Sequence, residues 1–169
     1  MMRVYIPATL AMLQQLVAGG SLWPVNGTAF AVTPRLREAY AEGDDEELGE
    51  VALRDAALAS LRLLAAAGDE AAGDLLPRRA VLVVDAEEVT LRPDLDDAVV
   101  RLGGAVTADQ VVAAFVDNAA AEPAVTAAIE VVDAADLGDE DAELLVGDAQ
   151  DHDLAWYATQ ELPFLLELL

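Results

Sequence analysis

RAVLVVD, residues 79–85, is a continuous apolar run of strand length with a charged residue at each end. A half-exposed strand alternates apolar and polar side chains, whereas an unbroken apolar run is typical of a central strand covered on both faces. The stretch therefore predicts a sheet with packed layers on both sides, and the rest of the chain supplies candidates for its neighbours.

Upstream of this run the pattern alternates between strand and helix. RVYIP at 3–7 reads as a strand, and residues 8–18 have helical spacing up to the Gly19-Gly20 pair. TAFAV at 28–32 predicts a second strand.

Two helix starts follow. Thr33 is an N-cap residue followed by Pro34, which is tolerated at the first helical position because its missing N–H would have no partner there. Asp44, with Glu47 three residues on, predicts the start of a long helix to about residue 67. Residues 68–77 are expected to form a loop.

Downstream, the ranges 88–91, 98–102 and 111–116 carry strand-like sequence, and the first two are separated by the turn-like RPDLDD. A helix is expected from Glu122 to about Val132. A second should run from about Glu140 to Leu162, where Pro163 ends it.

The order of elements predicts an α+β fold. Strands alternate with helices, and the connections between residues 79 and 102 are too short for parallel crossovers. We therefore expect a single globular domain over residues 1–169, with a mixed β-sheet of four to six strands and packed helices. No internal repeat or linker rich in Pro, Gly or Ser suggests a second domain.

Charge limits the function. The net charge is -23, every base is arginine, and residues 102–169 hold 15 acids and no base. Such a field repels nucleic-acid backbones and anionic lipids, so we expect no nucleic-acid or membrane partner. The acidity either only keeps an alanine-rich chain soluble or attracts a partner, which would be a basic protein. The C-terminal segment 156–169 either docks on the domain's own core or leaves an apolar strip that a partner or a second copy of the chain covers.

The compartment is expected to be the cytoplasm. The N-terminal segment has no basic region and cleavage site of a signal peptide, and no run reaches the roughly 18 apolar residues of a membrane span. Cysteine is absent, which excludes disulfides and thiolate chemistry.

His152 is the single histidine and the strongest chemical candidate. On the predicted helix it lies one turn from Asp148 and from Trp156, and a carboxylate at that spacing favours the charged ring of a general acid/base. Asp151 and Glu161 are further catalytic candidates. The alternative is a surface histidine bonded to a neighbouring acid.

Other polar groups are candidates for binding. Arg78 and Arg79 predict either an anion site or structural ion pairs, and Arg54 is expected to pair with Glu50 within its helix. Near the C-terminus the candidate binding residues are Trp156, Tyr157 and Gln160.

No motif indicates a cofactor or a metal. The clusters at Asp94 and Asp139 fail the EF-hand pattern, and a lone histidine makes no multi-histidine site. Nucleotide loops are absent, and neither Ser21 nor Ser60 lies in a nucleophile motif.

Four stretches carry a resemblance to a known family. They are RVYIPATLAML (3–13), the segment from FAVTP to SLRLL (30–64), EPAVTAAI (122–129) and DLAWYATQELPFLL (153–166). Together they resemble a family of small uncharacterised acidic actinobacterial proteins, a domain of unknown function. FAVTP and WYATQEL are the most distinctive strings. The resemblance implies a cytoplasmic bacterial protein from a GC-rich genome, and it carries no activity, cofactor or site residue.

The sequence thus predicts a non-enzymatic cytoplasmic interaction or regulatory module with a strongly acidic surface. The alternative is a small hydrolase-like enzyme that uses His152 with nearby carboxylates as acid/base groups. A pocket at His152 would favour the enzyme, and an open helix surface would favour the module.

Overall fold

A computed structural model describes residues 1–40, 42–72 and 76–169. Its strands are β1 (Met2–Ala8), β2 (Ser21–Leu22), β3 (Thr28–Phe30), β4 (Ala80–Ala86), β5 (Val89–Leu91), β6 (Val99–Leu102), β7 (Val106–Thr107), β8 (Val111–Val116) and β9 (Ala155–Ala158). Its α-helices are α1 (Leu10–Gly19), α2 (Pro34–Ala39), α3 (Asp45–Ala72), α4 (Glu122–Asp136), α5 (Glu140–Gln150) and α6 (Leu162–Leu168).

Strand β4 occupies the interior of the sheet, as its apolar run predicts. It pairs with β1 on one side and with β8 on the other, in the strand order β5-β6-β3-β1-β4-β8-β9. Leu82 points into a core formed with α1 and α6, whereas Val81 points into a core formed with α2 and α3. The sheet is therefore covered on both faces, and the α+β class is confirmed.

The sheet differs from the prediction in two details. Seven strands form it instead of four to six, and every described pairing in it is antiparallel, so it is not mixed. The short strands β2 and β7 form a separate pair. Strand β4 does not pair with β5, the next strand along the chain, because β1 and β8 occupy its two edges; β5 pairs with β6 instead.

The predicted helix starts are confirmed. The Thr33 side chain accepts a hydrogen bond from the backbone N–H of Leu36, and Asp44 Oδ1 accepts one from the N–H of Glu47 at 2.8 Å. Helix α1 ends at Gly19, and its C-cap residue Gly20 has a φ of 77°, in the left-handed region that glycine adopts without steric cost.

Two helix boundaries were predicted wrongly. Helix α3 continues to Ala72, so the expected loop at 68–77 is wrong for 68–72, and residues 73–75 of that prediction lie outside the described residues. Helix α5 ends at Gln150, not at residue 162, and residues 155–158 form β9 at the edge of the sheet. Helical spacing in this segment was overridden by pairing with β8.

A third apolar cluster attaches the α4–α5 hairpin to α3. Leu61 of α3 packs among small side chains of the two later helices, which include Ala128 and Ala149. Small residues let the three helices approach closely. This packing brings the end of α5 beside α3 and the start of β4.

Candidate functional site

A buried ion pair joins the start of β4 to the end of β8. The Arg79 side chain is 1% exposed and that of Asp117 is 0% exposed. Arg79 Nε and Nη2 donate to the two carboxylate oxygens of Asp117, each at 2.8 Å, in the bidentate geometry that suits a guanidinium. The Arg79 backbone N–H also donates to Asp117 Oδ2.

The same guanidinium holds the segment that follows α5. Arg79 Nη2 donates to the carbonyl oxygen of His152 and Nη1 donates to Gln150 Oε1, both at 2.8 Å. Gln150 is bonded in turn to α3: its Nε2 donates to the Arg54 carbonyl oxygen, and Arg54 Nη1 donates to the Gln150 carbonyl oxygen. Arg79 therefore donates to Asp117, Gln150 and His152, and Gln150 links this group to α3.

A cleft of ≈ 520 Å³ lies between these elements. One wall is a face of α3, formed by Glu50, Leu53, Arg54 and Ala57. The other wall is the segment after α5, formed by Gln150, His152, Asp153 and Leu154, and Arg79 completes the lining. The volume falls within the range of about 300–1,000 Å³ that is typical of small-molecule sites.

His152 lines this cleft but is not on a helix. It follows the C-cap residue Asp151, and its backbone N–H donates to the Ala149 carbonyl oxygen. The expected helical stack of His152 with Asp148 and Trp156 does not form, because the helix has already ended. Among the described residues no group hydrogen-bonds to the half-buried imidazole ring.

The other predicted residues near the C-terminus are spread over different surfaces. Asp148, Asp151, Gln160 and Glu161 are exposed and lie outside the cleft lining. Tyr157 packs against the core on the α1 side of the sheet.

Trp156 is 59% exposed on the edge strand β9, opposite Phe115 of β8. Of the predicted candidates, the cleft brings together only His152 and Arg79. Sequence reasoning missed Gln150 and Asp153, which carry no motif, and it assigned Arg54 to a pair with Glu50 that is not formed among the described ion pairs.

Arg78 is engaged in an ion pair, as the structural alternative expects. Its Nε and Nη2 donate to Glu122 Oε2 and its Nη1 to the Asp117 carbonyl oxygen. The described carboxylate pairs of the other arginines are Arg3–Asp85, Arg35–Asp97, Arg37–Asp45, Arg62–Asp136, Arg79–Asp117 and Arg92–Asp94. Within the described residues, Arg54 and Arg101 have no carboxylate partner.

Ser60 has a structural role. Its buried hydroxyl donates to the Ala8 carbonyl oxygen at 2.7 Å and accepts from the Ala80 N–H at 3.0 Å. It therefore joins the end of β1 to the start of β4, and both its bonds are to backbone groups.

Asp55 is a titratable group of α3 next to the cleft residue Arg54. Burial and, to a smaller extent, the nearby carboxylate of Asp96 raise the pKa of Asp55 to about 6, against the opposing effect of the Arg54 guanidinium. Asp55 thus titrates nearer to neutral pH than an ordinary aspartate.

The C-terminal segment packs mainly on the chain itself. Leu162 and Leu165 are buried in the core that contains α1, whereas Phe164 and Leu168 of the same helix are 68% and 85% exposed.

In the part of the chain that the structure describes, no helix is both long and apolar enough to cross a membrane. The same residues contain no group of three or more side chains arranged to hold a metal ion.

Comparison with known proteins gives a family and no activity. No match was found among the curated proteins or among the solved structures. Residues 2–166 match a family described as a family of unknown function, DUF6912. The match spans nearly all of the chain's 169 residues, so the chain belongs to this family of unknown function.

Proposed function

We propose that this chain is a non-enzymatic interaction or regulatory module that docks a basic protein segment on helix α5. The proposed surface consists of Glu140, Glu143, Leu144, Asp148 and Asp151, and we call it the acidic stripe. All five residues are exposed.

Helical spacing aligns these residues. Glu140, Leu144 and Asp148 are four residues apart, so they follow one another along one face of α5. Ala142 and Ala149 are buried, and Ala149 packs in the cluster with α3 and α4. The acidic stripe therefore faces away from the chain's own core.

Local electrostatics make the acidic stripe a favourable site for cations. The C-terminal end of a helix carries a partial negative charge, and α5 has Asp148 and Asp151 at that end with no base in its last turn. Of the 15 acids in 102–169, the described ion pairs include three, Asp117, Glu122 and Asp136, and none in the acidic stripe. A bound lysine or arginine would reduce the repulsion among the carboxylates of the acidic stripe and the negative end of α5.

An exposed leucine within the acidic stripe carries the proposal. Leu144 is 69% exposed between carboxylates, and Leu137, in the turn before α5, is 90% exposed. A surface that only keeps the chain soluble needs charged residues and no exposed leucine among them. The combination suits an amphipathic basic segment, whose cations pair with the carboxylates while an apolar side chain covers Leu144.

The test is affinity purification on the immobilised chain with identification of the bound proteins by mass spectrometry. We expect a basic partner that dissociates as salt rises, because exposed charge pairs are screened. A variant with Glu140→Gln, Glu143→Gln and Asp148→Asn should lose it. A matched control, Glu38→Gln with Glu87→Gln and Glu167→Gln, removes as many exposed charges elsewhere and should keep it.

Three outcomes contradict the proposal. The partner could resist 1 M salt, at which the screening length is about 3 Å. It could bind both triple variants equally, or the only species recovered could be a second copy of the chain. Analytical ultracentrifugation of the purified chain distinguishes the last case.

A second candidate function, a small hydrolase-like enzyme, is favoured by one observation: His152 lines the cleft together with the carboxylates of Glu50 and Asp153. These differ from the carboxylates Asp148, Asp151 and Glu161 that sequence spacing suggests. In this candidate the imidazole would act as a general base toward water. A screen of ester, amide and phosphoester substrates with His152→Ala as control tests it, and absence of His152-dependent turnover excludes it.

A further inference from the structure

The cleft beside Arg79 has walls that are fixed before any ligand enters. The wall on α3 is bonded to the wall after α5 by the two reciprocal hydrogen bonds between Arg54 and Gln150. Arg79, almost fully buried, donates to Gln150 and to the His152 carbonyl oxygen, while Asp117 holds its guanidinium. A preorganised cleft loses little conformational entropy on binding.

The cleft has unused hydrogen-bond donors. A guanidinium has five N–H groups. The described side-chain bonds of Arg79 use Nε once, Nη2 twice and Nη1 once, which leaves one Nη1–H without a described partner. The only described hydrogen bond of the Arg54 side chain is the one that Nη1 donates to the Gln150 carbonyl oxygen. Arg54 belongs to none of the described ion pairs, so its guanidinium has no carboxylate partner among the described residues.

The same cleft also has two carboxylates. Glu50 lies one helical turn before Arg54 on α3, and Asp153 lies on the facing wall; both are exposed and neither belongs to a described ion pair. Leu53, Ala57 and Leu154 add apolar surface between these polar groups. The lining therefore combines cationic donors, anionic acceptors and an apolar contact.

We propose that the cleft binds a small zwitterion, a free α-amino acid. Its carboxylate would accept hydrogen bonds from Arg54 and from the remaining N–H of Arg79, and its ammonium group would pair with Glu50 or Asp153. The net charge of -23 repels a simple anion, whereas a ligand with no net charge meets no such barrier. An apolar side chain would lie against Leu53, Ala57 and Leu154.

Isothermal titration calorimetry with free amino acids as probes tests this proposal. We expect at least one apolar amino acid to bind with a Kd of about 1 mM or tighter, and Arg54→Gln to weaken it at least about tenfold. The matching amino-acid amide lacks the carboxylate and the N-acetyl derivative lacks the ammonium group, so both should fail to bind. Free amino acids contain no bond to hydrolyse, which keeps the result independent of turnover and of partner docking.

Controls separate the cleft from general effects. Arg62→Gln removes a guanidinium from the same helix outside the cleft lining and should leave the Kd unchanged. If Arg54→Gln alters the unfolding transition, Glu50→Gln and the two derivatives still decide the result. The proposal is overturned if no amino acid binds, if the amide binds as well as the acid, or if Arg54→Gln and Glu50→Gln both leave the Kd unchanged.

Discussion

Arg79 and Asp117 form a fully buried bidentate ion pair at the point where β4 begins and β8 ends. The pair fixes more than two strands, because the same guanidinium holds Gln150 and the His152 carbonyl oxygen. Arg79 therefore helps to hold the α5–β9 segment, and with it one wall of the cleft, together with the Arg54–Gln150 hydrogen bonds.

Replacing Arg79 with methionine should be strongly destabilising. Asp117 would be left as a buried charge without a counter-ion, and breaking such a pair costs about 3–5 kcal/mol of unfolding free energy. Urea unfolding monitored by circular dichroism measures the loss. Arg62→Ala, which breaks a half-exposed pair with Asp136, is the control and should cost about 0–1 kcal/mol. Equal losses in the two variants would contradict the structural role of Arg79.

Ser60→Ala should lower the free energy of unfolding although the substitution removes only one oxygen atom. The Ala80 N–H and the Ala8 carbonyl oxygen would each lose a buried hydrogen-bond partner, at a cost of about 1–3 kcal/mol. The same unfolding measurement applies. Ser21→Ala at an exposed position should change stability by less than about 0.5 kcal/mol. An unchanged midpoint for Ser60→Ala would show that its two bonds do not stabilise the β1–β4 pair.

Asp55 should make stability depend on pH below neutrality. Its folded-state pKa of about 6 exceeds the value of about 3.9 in an unfolded chain, so the folded state binds more protons between these values. The stability that this group contributes is therefore fully present below pH of about 3.9 and is lost as pH rises from there through about 6. Asp55→Asn should gain stability over the wild type as pH rises in this window. The difference in urea midpoint measured at successive pH values tests this expectation.

Asp109→Asn, at an exposed position, is the control for the change in net charge. Its difference from the wild type should not vary with pH as that of Asp55→Asn does. A constant difference between Asp55→Asn and the wild type from pH of about 4 to about 7 would show that Asp55 titrates as an ordinary aspartate.

Two leucines should separate folding from partner docking. Leu61 is fully buried in the cluster of α3, α4 and α5, and Leu61→Ala should cost about 2–5 kcal/mol. Leu144 is 69% exposed, so Leu144→Ala should change stability by less than about 0.5 kcal/mol while it weakens binding of the basic partner. Partner binding unaffected by Leu144→Ala would remove the apolar part of the proposed surface.

The sequence predicted correctly those features that depend only on residues close together in the chain. Thr33 and Asp44 were identified as caps because a cap is a bond between residues three positions apart. The segment AWYA at 155–158 was misassigned to helix, because its strand exists only by pairing with residues 113–116. Glu50 and Arg54 have the spacing of a helical ion pair, yet Arg54 bonds instead to Gln150, which is distant in sequence.

The sequence by itself determined the α+β class, a central apolar strand, the starts of α2 and α3, and a chain with 15 acids and no base after residue 101. These follow from periodicity, capping and charge, which act over a few residues or need only a count. Tertiary structure alone decided the antiparallel strand order, the early end of α5 and the cleft. Each depends on contacts between residues that are distant in the sequence. Arg79 and His152, for example, are 73 residues apart, and their hydrogen bond can form only after the sheet has formed.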